Sequence, residues 1–176
     1  MDPRLFLALC RTALASAVPL MLTQLLLQLW DEGFGWDSLR GALYVPLIWA
    51  VFTVAWATAG CFSLTRRARG TGLPVTVDAL EETQYVTVPG DLTRVHEALR
   101  AAERSVDVRE TPEGELVFAW RPFRGRRQVS GSAAHDESGG GVRLTVSAGD
   151  VSPGAAFLTK GSAFIAICQL TRAVSP

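Results

Sequence analysis

The chain has 176 residues, a formal net charge of zero and a hydrophobic fraction of 48%. A neutral chain carries no global field to gather nucleic acid. Its three cysteines, Cys10, Cys61 and Cys168, form neither a disulfide framework nor a metal-ligand spacing, and they suit a reducing compartment.

Charge is distributed unevenly. Residues 1–64 are long apolar runs with few charges, and residues 65–176 hold most of the Arg, Asp and Glu. The asymmetry predicts a membrane part followed by a water-soluble part. The basic residues are sixteen Arg and one Lys, Lys160, a bias expected of a GC-rich bacterial genome.

Two uncharged stretches come first. Thr12–Trp30 would reach about 28 Å as a helix, and Gly41–Leu64 about 36 Å, against a hydrocarbon core of about 30 Å. Pro19 could kink the first, which a membrane helix tolerates. A cleaved signal is the rival reading, because Ala15-Ser16-Ala17 resembles a cleavage site. Arg11 interrupts the apolar run before that site, and the strongest run, Leu20–Leu27, follows it, which is the wrong order. Leu9 is too large for the lipid-modification box that Leu7–Cys10 superficially resembles.

Flanking charge sets the expected orientation. Arg4 and Arg11 precede the first span, Arg66, Arg67 and Arg69 follow the second, and the loop holds Asp31, Glu32 and Asp37 against Arg40. The positive-inside rule then places both termini in the cytoplasm, with Trp30, Trp36 and Tyr44 near the outer surface. Neither span contains Asp, Glu, Lys, Arg or His, so no proton or ion relay is expected. Gln24, Gln28 and Thr23 on the first span, and the strip Thr53, Ala57, Gly60 and Cys61 on the second, read as helix–helix packing positions.

The remainder reads as a linker and a domain. Residues 65–83 form a basic juxtamembrane linker, whose Val75–Val77 could add an edge strand. Residues 84–176 read as a cytoplasmic α+β domain. Tyr85–Val88 alternates as a strand, Asp91 is a helix N-cap, and Leu92, Val95, Leu99 and Ala102 form one helical stripe ending near Arg104. Strands follow at Val106–Val108, Leu116–Trp120, Arg126–Ala134 and Val142–Val146. The Arg126–Ala134 strand is polar and rich in Ser and Gly, which predicts a place near a sheet edge. Ser152-Pro153 predicts the start of a long helix reaching Ala173. A third span is disfavoured there, because the apolar core Ala163–Cys168 is short and Lys160 interrupts its extension.

The fold class is therefore α+β. A two-helix transmembrane hairpin leads into a small β-α-β-β-β-β-α domain with an antiparallel sheet and a long C-terminal helix on one face. Helix-grip proteins share that general plan and hold ligands between sheet and helix, an analogy of fold alone.

Chemistry-bearing motifs are lacking. His96 and His135 have no evident partner, no serine sits in a hydrolase elbow, and Gly139–Gly141 opens no helix. No enzymatic activity, cofactor or metal is expected. Arg66, Arg67 and Arg69, with the Arg124, Arg126 and Arg127 turn, are candidate membrane-surface contacts. The expected partners are the lipid bilayer and a protein partner or second copy, with no nucleic acid. The expected role is a membrane-anchored interaction or assembly module in the bacterial plasma membrane. The alternative is binding of an amphiphilic small molecule or lipid in a groove under the C-terminal helix.

Overall fold

A computed structural model describes residues 2–33, 35–123, 128–136, 140–149 and 160–174. The chain divides into two compact units, Met1–Ser63 and Leu64–Pro176.

Helix α1 runs from Pro3 to Glu32 and helix α2 from Trp36 to Ala68. Both extend past the uncharged stretches. The Asp2 side chain accepts a hydrogen bond from the Arg4 amide at 2.8 Å, and Pro3 takes the first helical position, so α1 starts before Arg4. Gly33, at φ 69, follows its last residue.

Each helix is long and apolar enough to cross a membrane. Their buried positions form narrow stripes: Leu5, Leu9, Ala13 and Ala17 on α1, and Thr53, Ala57 and Cys61 on α2. Spacings of four residues put each set on one face. Leu9 lies close over Gly60, where a Cβ would meet its Cδ1 at 3.2 Å. The strip of small residues on α2 is thus a packing seam. The indole of Trp49 donates to the Gln24 amide oxygen at 3.3 Å, a polar tie between α2 and α1.

The second unit contains a 3-10 turn, Val77–Leu80, followed by β1 (Thr83–Pro89), α3 (Leu92–Ala101), β2 (Ser105–Glu110), β3 (Leu116–Trp120), β4 (Val129–His135), β5 (Gly141–Ser147) and α4 (Ser162–Val174). The sheet is antiparallel throughout, in the order β1-β5-β4-β3-β2. The meander β2 to β5 is completed by β1 on the far edge. The β1–α3–β2 connection consequently carries α3 across the sheet. Asp91 caps α3 by accepting from the Arg94 amide at 2.8 Å, as its sequence predicts.

Three details differ from the sequence reading. Val75–Val77 forms no strand; Val77 instead opens the 3-10 turn, which buries Ala79. The Ser- and Gly-rich strand lies at the centre of the sheet rather than near an edge. Its Val129 and Ala133 face the core, whereas Ser130 and Ser132 lie on the opposite face, so alternation is satisfied with few large residues. Gly131 stands opposite Phe118 in the ladder, and the Phe118 ring occupies the space where a Gly131 side chain would be. The aromatic ring supplies the burial that the glycine cannot. Finally, α4 starts at Ser162. Gly161, at φ 80, cannot lie inside a right-handed helix, so no continuous helix runs from Pro153. Residues 150–159 lie outside the described residues.

The core lies between the sheet and its two helices. Val95 and Leu99 of α3, and Ile167 and Leu170 of α4, pack with Phe118, Trp120, Leu144 and Val146. Full burial of one such side chain stabilises by about 1.5–3 kcal/mol. Nine of the thirteen residues of α4 are buried, including Phe164, Ile165 and Cys168. The sheet covers one side of it. Against another lie the end of α2 and the segment after it: Leu64 and the Ala79 carbonyl crowd Gly161, and Thr71 bonds Cys168.

Candidate functional site

The last turn of α2 carries Arg66 and Arg67, and Arg69 follows the helix by one residue. A helix C-terminus leaves carbonyls without intrahelical donors and carries partial negative charge. Here α4 supplies the missing donor. The Arg172 guanidinium donates to the Arg67 carbonyl at 2.7 Å and to the Arg69 carbonyl at 2.6 Å. The contact satisfies two acceptors and sets a positive charge at the negative end of the helix.

A second set of contacts holds the corner after β3. The Trp120 indole donates to the Gln169 amide oxygen at 2.9 Å, and the Gln169 amide nitrogen donates to the Pro122 carbonyl at 3.0 Å. Arg104 donates to the same carbonyl at 2.9 Å. These bonds fix Pro122 and present Phe123, whose ring lies under the Arg67 guanidinium at 5.5 Å from the centroid. The corner after β3 and the end of α2 are therefore neighbours.

Of the six arginines singled out by sequence, Arg66 and Arg69 are exposed and Arg67 is half-buried against Phe123. Arg124, Arg126 and Arg127 lie outside the described residues, although Arg124 follows Phe123 directly in the chain. Among the described residues, ion pairs join Arg109 to Asp107 at 2.9 Å and Arg143 to Asp136 at 3.8 Å. None of Arg66, Arg67, Arg69 and Arg172 is within ion-pair distance of a described carboxylate.

Arg172, Arg104, Gln169 and Phe123 were not legible as site residues. A basic residue in the last turn of α4 is a general helix signal, and nothing local tells that its target is another helix.

Burial pushes the Cys168 thiol above its ordinary range, with the Thr71 hydroxyl and the Arg172 charge acting the other way. A neutral, enclosed thiol is a poor nucleophile.

Elsewhere on the second unit, two concavities are formed by described residues. A groove of about 380 Å³ runs along β1, lined by Leu73, Pro74, Phe164 and Ile167 on its apolar side and by Asp78, Glu81 and Gln84 on its polar side. A shallow depression of about 500 Å³ lies on the sheet, bordered by Glu115, His135, Asp136 and Arg143. Asp136 there is committed to structure, accepting from the Thr87 hydroxyl at 2.8 Å and facing Arg143. His135 is exposed, whereas His96 is half-buried on α3, its Nε2 without a hydrogen-bond partner among the described residues. No group of three metal-ligating side chains occurs among the described residues.

The chain matches no protein-family model, no curated protein and no solved structure.

Proposed function

We propose that this protein spans the bacterial plasma membrane twice with both termini in the cytoplasm. Its C-terminal domain then acts as a non-enzymatic protein-interaction or assembly module held at the membrane surface. One observation carries the reading. Only 22% of the apolar window of each long helix is buried inside the chain, so most of that surface needs an apolar surrounding. The core helix of a soluble domain shows the opposite, as α4 does. Arginine at both outer flanks of the hairpin supports the orientation. The continuous apolar core between sheet and helices supports a module that works through its surface.

The test is extraction of membranes with alkaline carbonate. The full chain is expected in the pellet until detergent is added; release without detergent overturns the anchoring. A tag on Pro176 that protease reaches in intact cells overturns the orientation alone. For the module itself, photocrosslinking from exposed Tyr85 in cells is expected to trap one discrete protein adduct, a second copy of this chain included; absence of any adduct from several such positions refutes it.

The groove along β1 favours a second reading, capture of an amphiphile with its tail against Leu73, Phe164 and Ile167. An apolar dye saturating at one molecule per chain would favour it. The polar wall of Asp78, Glu81 and Gln84 weighs against a purely apolar ligand.

A further inference from the structure

We propose that the face formed by Arg66, Arg67 and Arg69 binds the phosphates of anionic phospholipids in the leaflet at the C-terminal end of α2. The proposal rests on the two-pass reading and deepens it by naming the partner.

Four observations support it. Arg66 and Arg67 lie in the last turn of a helix of membrane-spanning length, and Arg69 just beyond it, so all three are at headgroup depth when α2 spans. Their charges are not spent on described carboxylates, whereas Arg109 and Arg143 elsewhere in the domain are paired. Arg172 covers the α2 carbonyls, which removes the negative potential that would repel a phosphate there. Phe123 supports the Arg67 guanidinium from one side and leaves its planar edge to donate, and a guanidinium edge matches two phosphate oxygens.

Arg172, Arg104 and Gln169 are positioning residues in this arrangement. They hold the helix end and the Pro122 corner through carbonyl oxygens. The binding heads are Arg66 and Arg69, both exposed, and Arg67.

The experiment uses the full chain, reconstituted in bilayers of equal phosphatidylethanolamine and phosphatidylglycerol and released into native mass spectrometry. The wild type is expected to retain phosphatidylglycerol preferentially. Arg66→Gln/Arg69→Gln should lower that preference about 25-fold, about fivefold for each arginine. Arg100→Gln, on the polar side of α3, should leave it unchanged. Carbonate extraction of each variant is measured in parallel. Equal retention of both lipids by the wild type, or an unchanged preference in the double variant, overturns the proposal while a carbonate-resistant chain leaves the anchoring intact. Release of the wild type by carbonate overturns both. Saturable capture of inorganic phosphate in lipid-free detergent, without lipid preference, assigns the face to free phosphate and overturns it as well.

Discussion

Helices α2 and α4 are both apolar, yet they meet that demand in opposite ways. Helix α2 has 33 residues and buries a single stripe, leaving Leu47, Ile48, Val51, Phe52 and Val54 exposed. Helix α4 has 13 residues and buries nine of them, under the sheet on one side and the segment from Leu64 to Leu80 on another. Composition alone would not separate them, because a helix apolar all round is either a core helix or a span. They differ in length and in cover: α4 is about 20 Å long and α2 about 50 Å, and the chain buries far less of α2.

That contrast can be broken most sharply by paired truncations. Leu170→Ala in α4 is expected to lower the stability of the domain by about 2–5 kcal/mol, since it opens a cavity in a close-packed core. Leu26→Ala on α1, at a position 68% exposed, is expected to change it by less than about 0.5 kcal/mol. Urea unfolding in detergent, followed by far-UV circular dichroism, measures both. Equal losses would mean that the outward faces of the hairpin are packed against protein.

Next in size is Gly131→Ala. The new methyl group meets the Phe118 ring, with a cost of about 1–3 kcal/mol. Phe118→Leu alone also destabilises, but the double variant should lose less than the sum of the two, a coupling that a double-mutant cycle in urea reads directly.

A smaller effect is expected of Arg172→Gln, which withdraws the charged donor from the Arg67 and Arg69 carbonyls. A loss of about 1 kcal/mol is expected, together with faster amide hydrogen exchange in the segment from Leu64 to Thr71. Unchanged exchange there would show that the end of α2 is held by packing alone.

The smallest effect concerns pH. The Cys168 thiol is raised in the folded state, so its contribution is fully present below the unfolded thiol value of about 8.5. It is lost as pH rises through the higher folded value. The difference in stability between the wild type and Cys168→Ala should therefore be flat at neutral pH and fall only in alkaline solution. A slope below neutrality would contradict a buried neutral thiol.

Much of this was readable from the chain itself, for identifiable reasons. The hairpin follows from two uncharged runs of spanning length. Strand β1 and helix α3 follow from period-2 and period-3.6 patterns punctuated by Pro89, Gly90 and Asp91, and the Asp91 cap is a purely local bond. The central place of β4 was not legible, because a strand of Ser, Gly and Ala looks weak until Phe118 is seen lying over Gly131. The expected unbroken helix up to Ala173 is interrupted by the backbone of Gly161, which no local pattern announces, and the Ser152-Pro153 start lies outside the described residues.

Sequence alone determined which segments are apolar over a spanning length and where charge collects, since both depend on residue identity over a short window. Tertiary structure alone decided what the arginines touch. The Arg172 bonds to the Arg67 and Arg69 carbonyls join residues more than one hundred positions apart, and Arg67 meets Phe123 from a different element of the fold. The first comes from the packing of α4 against the end of α2 and the second from the corner after β3, and no local pattern encodes either.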